Sequence, residues 1–133
     1  MRAILDTSVL IGQRPPADEI EAAISVVSIA ELHFGLLVAR TDEARASRTA
    51  RLGTIEARFP DPLPIDDRTA REWGRLQAVV TAAGGQPRRR TADLAIAATA
   101  RVHDAVLLTY NVKDFAPIAH LLHVRHPNEP TSA

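Results

Sequence analysis

The sequence predicts an α/β fold, a three-layer α/β/α sandwich around a mostly parallel central sheet. Short apolar runs at Ala3-Ile4-Leu5, residues 24–27 and residues 105–109 alternate with longer segments whose apolar residues recur at helical spacing, the pattern of strands joined by crossover helices. The run at 105–109 is apolar almost throughout, as in a sheet covered on both faces. With 133 residues, 46% of them hydrophobic, the chain suffices for one such core and not for two, so one domain over residues 1–126 is expected.

In chain order, Ala3-Ile4-Leu5 reads as a first strand that stops at Asp6, and Val9-Leu10-Ile11 follows Thr7-Ser8 as the start of a helix. Pro15-Pro16 breaks the chain. Residues 18–23 read as a short helix, 24–27 as a β-branched strand, and Ser28 as the start of a longer helix carrying Ile29, Leu32, Leu36 and Leu37. Residues 42–59 are Arg/Ala-rich with Leu52, Ile55 and Phe59 at helical spacing, an exposed helix paired with its predecessor and stopped by Asp61-Pro62-Leu63-Pro64. Trp73, Leu76 and Val80 form a core-facing stripe on a helix over 67–83, ended by Gly84-Gly85, and residues 86–90 read as a basic loop. Thr91 begins a helix that buries Leu94, Ala97, Ala98 and the stem of Arg101, and the strand at 105–109 follows. A turn over 110–114, a short helix over 115–122 with Pro117 in its first turn, an edge strand over 123–125 and a polar, disordered tail over 127–133 complete the expectation.

The 16 basic and 16 acidic residues balance, so any nucleic-acid contact must use a local basic rim. Fifteen of the bases are Arg, which reflects a bias toward Arg, Ala and Pro throughout rather than phosphate chemistry alone. The lack of cysteine excludes a disulfide framework, a thiolate nucleophile and a cysteine-based zinc finger. No apolar leader follows the N-terminus and no run of about 18 apolar residues occurs, so a soluble cytoplasmic protein without membrane contact is expected.

Four acids, Asp6, Glu31, Asp93 and Asp114, are each read at the downstream edge of a short apolar run, and in a parallel α/β sheet those edges meet at one crevice. Each also has a purely structural role open to it. Asp6 could cap a helix, Glu31 could be the returning half of a capping box with Ser28, and Asp114 could cap a helix at Phe115. Asp93 sits in a first helical turn, where a negative charge gains ~0.3–1 kcal/mol from the helix dipole. Four unrelated caps would scatter over both ends of a sheet, whereas the order of these four brings them to one side. Carboxylates within ~4–6 Å raise one another's pKa. A hard cation, Mg²⁺ or Mn²⁺, relieves that repulsion. One or two such ions activate water at neutral pH and stabilise charge on an attacked phosphodiester without a protein nucleophile. Metal-dependent phosphodiester hydrolysis is therefore the expected chemistry.

The same residues carry a family resemblance. Asp6-Thr7-Ser8 after the first strand, Ala30-Glu31-Leu32 with Gly35, Asp93 within DLAIAATA, and Thr109-x-Asn111-x-x-Asp114-Phe115 resemble the four signature segments of PIN-domain ribonucleases. Length and order most resemble the VapC toxins of bacterial toxin–antitoxin pairs, from Arg2 to about Val124. The resemblance implies that Asp6 and Asp93 hold Mg²⁺ (or Mn²⁺), that Glu31 and Asp114 complete the acidic pocket directly or through water, and that Ser8, Thr109 and Asn111 orient those carboxylates. It also implies an RNA substrate, a VapB-like antitoxin, and a homodimer within a larger toxin–antitoxin assembly. The chain departs from the pattern twice. His103-Asp104 fills a helix-to-strand turn where the resemblance calls for glycine, and Pro87-Arg88-Arg89-Arg90 is unusually basic.

Arg88, Arg89, Arg90 and Lys113 are candidates for a rim that meets RNA phosphates, a solvated loop being the alternative. Phe34 and Leu37, with the Arg-rich 42–58 helix, outline a candidate antitoxin groove, against plain helix packing. His120, His123 and His126 run from a helix end into a strand, so their rings are not expected to converge on a metal. Trp73 belongs to a helical stripe and reads as core. A phosphatase built on an Asp after the first strand needs a second acid where Ser8 stands, and a phospho-accepting receiver needs paired acids there. A catalytically weak PIN-like domain that binds RNA or protein keeps every feature, and only a cleavage assay with divalent ions separates it from the nuclease.

Overall fold

The computed structural model describes residues 1–12 and 20–129. Among these, four strands, β1 (Arg2–Leu5), β2 (Glu21–Ala23), β3 (Val106–Leu108) and β4 (Val124–Arg125), form a wholly parallel sheet in the order β2-β1-β3-β4. It is covered by helices α1 (Thr7–Ile11), α2 (Val26–Leu37), α3 (Asp42–Arg58), α4 (Asp67–Ala82) and α5 (Thr91–Val102), with 3-10 turns at Pro87–Arg90 and Val112–Ile118.

Register sorts the side chains by face. Ile4 pairs with Leu107, and both pack with Leu76 and Val80 of α4 and Leu94 and Ala97 of α5. Ala3, Leu5 and Leu108, one residue out of step, belong to the opposite layer with Leu32 of α2 and Leu52 and Ile55 of α3. Burial on both faces explains why β1 and β3 read as nearly unbroken apolar runs. The expected α/β/α sandwich is thus observed, with no antiparallel strand among the described residues.

Strand order also fixes where a site can lie. β2 flanks β1 on one side and β3 on the other, so the connections diverge at the C-terminal ends of β1 and β3, the switch point that leaves a crevice in open α/β sheets. Asp6 and Thr109 follow those two strands directly, and the Asp6 N–H donates to the Leu108 carbonyl at 2.9 Å.

Several boundaries differ from expectation. The second strand is Glu21–Ala23 rather than residues 24–27; of the helix expected over 18–23, residues 18 and 19, like Pro15-Pro16, lie outside the described residues. Residues 24 and 25 have left the sheet: Ile24 is buried, and Ser25 makes a single bridge to Leu63. The Ser25 hydroxyl accepts from the Val27 N–H at 3.0 Å, so α2 begins at Val26 and Ser28 lies inside it. A β-branched run marks burial as readily as strand pairing, and the capping serine was the stronger signal. The basic loop is a 3-10 turn opened by Pro87, and the helix expected over 115–122 is instead the 3-10 turn Val112–Ile118, with Pro117 inside it.

Helices α4 and α5 end alike. The Gly85 N–H donates to Val80 O and the Gly84 N–H to Thr81 O; in α5, Ala105 donates to Ala100 O and Asp104 to Arg101 O. Gly84 has φ +85 and Asp104 has φ +52, so an aspartate holds the left-handed position that favours glycine. Arg101 ties this end to its surroundings, donating from Nε to Glu72 at 2.5 Å and from Nη1 to the Leu121 carbonyl. Trp73 packs against the core while its Nε1 donates to Thr91 O at 3.1 Å. Of the expected tail, residues 127–129 form a turn closed by the Glu129 N–H on His126 O at 3.0 Å, and residues 130–133 lie outside the described residues. Among the described residues no helix is long and apolar enough to cross a membrane.

Candidate active site

Asp6 stands at the N-cap position of α1, yet its side chain makes no capping bond. Oδ2 accepts from Thr109 Oγ1 at 2.8 Å and from Ser8 Oγ at 2.9 Å. With Asp6 only 3% exposed, Oδ1 is left buried without a hydrogen-bond partner. An orphaned buried carboxylate oxygen is costly unless something electropositive meets it.

Glu31 lies in the second turn of α2, where Ser28 is no cap, so the capping-box alternative does not hold. Its Oε1 accepts from Thr7 Oγ1 at 2.6 Å. That uses the single Thr7 proton, so the buried Ser28 hydroxyl, 2.9 Å away, donates to Thr7. Asp93 sits in the first turn of α5 and Asp114 in the first turn of the Val112–Ile118 segment. Only Asp6 therefore follows a strand directly; the other three acids reach the crevice from helices.

Electrostatics show that the four acids share one neighbourhood. The Asp93 carboxyl is raised to about 6, by burial first and then by Asp6, Glu31 and Asp114, with Arg90 opposing. Arg90 Nη1 sits 2.8 Å from Asp114 Oδ2, and this contact holds the guanidinium more firmly protonated. Arg90 thus faces an acid of the cluster, whereas Arg88, Arg89 and Lys113 are exposed. Asn111 contributes its backbone, the N–H donating to Thr109 Oγ1 at 3.0 Å, while the residue itself is exposed.

Among the described residues no three acidic or histidine side chains already stand as a complete metal cage. The donor set nevertheless suits a small hard cation: it is all oxygen, it contains the orphaned Asp6 Oδ1, and it includes an acid whose charge its neighbours disfavour. Mg²⁺ keeps several of its waters, so one or two carboxylates are enough to hold it.

Two residues outside this set were legible only as other things. Tyr110 donates its N–H to Ser8 Oγ at 3.2 Å, and its ring meets His126 edge-on at 5.1 Å between centroids. On α2, past Glu31, Phe34 and Leu37 are 67% and 74% exposed, an apolar surface with no cover among the described residues.

Fold and site together define an α/β protein with an acidic crevice at its sheet's switch point. The chain belongs to the PIN-domain family, whose model matches residues 3–121. It is 37% identical over 121 residues to ribonuclease VapC5 of Mycobacterium tuberculosis, covering 86% of each chain. It is also 37% identical over 121 residues to ribonuclease VapC4 of the same organism, covering 86% of this chain and 89% of that one. A crystal structure of VapBC-5 from M. tuberculosis, a member of the VapBC family of toxin–antitoxin systems, is similar at TM-score 0.78 and 35% identity, over 94% of this chain and 96% of the other.

Proposed function

We propose that this chain is a divalent-metal-dependent ribonuclease that hydrolyses RNA phosphodiester bonds as the toxin of a toxin–antitoxin pair. The observation that carries the chemistry is Asp6: its Oδ2 is fixed by two hydroxyls while its buried Oδ1 has no partner, beside an Asp93 raised by the surrounding acids. Asp6 and Asp93 would hold Mg²⁺ or Mn²⁺, with Glu31 and Asp114 acting directly or through water. When bound, the ion supplies an activated water and neutralises charge on the attacked phosphate. Ser8 and Thr109 hold the Asp6 carboxylate in one orientation, and Thr7 does the same for Glu31. Arg88, Arg89 and Lys113 are available to backbone phosphates, with Arg90 set against Asp114.

The relatives named ribonuclease VapC and the similar VapBC structure support this reading, including a VapB-like antitoxin; action in the cytoplasm belongs to the same proposal. The test is cleavage of RNA by the purified chain with Mg²⁺ or Mn²⁺, its arrest by chelator, and its loss in Asp6→Ala and Asp93→Ala variants that keep the wild-type circular dichroism. Cleavage at the wild-type rate by either variant would remove that residue from the metal site. A catalytically weak binding domain would bind RNA without cutting it under any divalent ion.

A further inference from the structure

Beside the acids lies an open cleft of about 540 Å³ lined by Tyr110, Asn111, Lys113, Asp114 and His126. We propose that this cleft is a nucleotide subsite in which Tyr110 and His126 take the base and Lys113 takes its phosphate, so that it sets which RNA sequences reach the acids. The proposal rests on the ribonuclease reading and adds to it the place where sequence is read.

The cleft is continuous with the reaction site through Asp114, which forms part of its wall. Its volume lies in the ~300–1,000 Å³ range of small-ligand pockets, enough for one nucleotide. Its chemistry is that of single-strand recognition, in which bases lie against aromatic or histidine rings and are hydrogen-bonded along their edges. The two rings meet edge-on at 74° to each other, and both line the cleft.

Both rings are held in place before any ligand arrives. Tyr110 is tethered by its N–H to Ser8, and its ring packs over Gly12, where an added Cβ would lie 2.8 Å from Cε2. Glycine at position 12 thus leaves room for the ring. His126 Nδ1 accepts from the Asn128 N–H at 3.1 Å, so the neutral imidazole carries its proton on Nε2 and has that donor left for a base.

Charge at the mouth favours a phosphate. Asp114 is met by Arg90 at 2.8 Å, and Glu129 faces Arg125 at 3.6 Å, so both carboxylates on the lining are opposed by cations. Lys113, exposed and next to Asp114 in sequence, makes no ion pair among the described residues. A lysine so placed attracts a phosphate without reading the base.

The experiment uses the full chain and fluorescein-labelled single-stranded oligoribonucleotides of randomised sequence. Affinity is read by anisotropy in chelator, and kcat, KM and cut-site preference are read with Mn²⁺. His126→Ala should weaken binding and raise KM about ten-fold, leave kcat little changed and flatten the base preference next to the cut. Gly12→Ala, which keeps both rings but displaces Tyr110, should alter the base preference as well. Lys113→Ala should weaken all sequences alike and lower the salt slope by about 1. Unchanged affinity, KM and preference in folded His126→Ala and Gly12→Ala overturns the subsite. Failure of the wild-type chain to cut any RNA sinks the ribonuclease reading instead, and the anisotropy series in chelator then still decides the subsite: wild-type binding that His126→Ala weakens supports it, and no wild-type binding overturns it.

Discussion

Thr109 Oγ1 donates to Asp6 Oδ2 at 2.8 Å across a separation of 103 residues. The pairing of Leu5 with Leu108 in the β1–β3 ladder makes this possible, because the next residue of each strand emerges at the switch point beside the other. The contact orients Asp6 and leaves Oδ1 as the free oxygen. Thr109→Val keeps the volume and removes the donor. The expected outcome is a ~10–100-fold loss of RNA cleavage or of metal affinity with the fold retained. Isothermal titration with Mn²⁺ beside single-turnover cleavage checks this, and a fully active valine variant would reduce Thr109 to a packing role.

Metal-free stability should depend on pH through Asp93. Its folded pKa, about 6, is above the ordinary 3.8, so between those values the folded chain holds a proton that the unfolded chain has released. Stability from this group is full below about pH 4 and falls as pH rises through about 6. The loss is of order 2 kcal/mol once screening at this partly exposed site is allowed for. Asp93→Asn should flatten the decline, and Mg²⁺ should restore wild-type stability at neutral pH but not that of the variant. Urea titrations across pH 4–8, with and without Mg²⁺, measure both effects. A variant clearly less stable than wild type at pH 7 without metal would make Asp93 a favourable helix-terminal charge instead.

How far the site was legible depends on which signal placed each residue. Asp6 and Thr109 could be read because they end apolar runs, and a parallel sheet brings such ends together. Glu31 was legible as one of the four acids but its helix start was not: the helix starts at Ser25–Val26, and the β-branched 24–27 run concealed that start behind a strand signal. Arg90 looked like one of three equivalent loop arginines, and only the turn at Pro87–Arg90 directs it to Asp114 rather than to solvent. Tyr110 read only as the start of a turn and His126 only as one of three histidines not expected to converge, since an edge contact between residues on either side of the last strand has no sequence period. The mostly parallel sheet and its covering layers were legible because burial on two faces leaves short, nearly unbroken apolar runs; that no strand is antiparallel among the described residues was not.

Asp104 marks a place where the sequence works against its own fold. Its φ of +52 at the end of α5 is the conformation that glycine adopts without Cβ strain, and the two closing hydrogen bonds of that turn come from the backbone. Asp104→Gly should therefore stabilise the protein by about 0.5 kcal/mol, the relief of strain being partly offset by the greater freedom of the unfolded chain. Asp104→Val should destabilise it, because a β-branched residue tolerates this region worst. Thermal unfolding of the two variants should move Tm in opposite directions; a lower Tm for the glycine variant would mean that the Asp104 side chain contributes more than its backbone costs.

Phe34 and Leu37 lie on the helix that carries Glu31, and their exposure is unusual for such large apolar side chains in a chain of balanced charge. A VapB-like antitoxin that covers them would gain apolar burial at the surface and reach the acids with one cationic side chain, an arginine forming paired bonds to carboxylates being best suited. Neither residue supports the core, so Phe34→Ala and Leu37→Ala should change stability by no more than about 0.5 kcal/mol and keep RNA cleavage. Loss of a central apolar anchor costs about 2 kcal/mol or more, so each variant should need roughly thirty-fold more antitoxin for half-inhibition. Asp67→Ala, which removes an exposed ion pair to Arg71 on α4, serves as the control and should be inhibited like wild type. The measurement is a titration of each variant with a VapB-like antitoxin that inhibits the wild-type chain, at one fixed Mn²⁺ concentration. Equal inhibition of all four proteins would place the antitoxin on another face and leave the exposed end of α2 to a different partner.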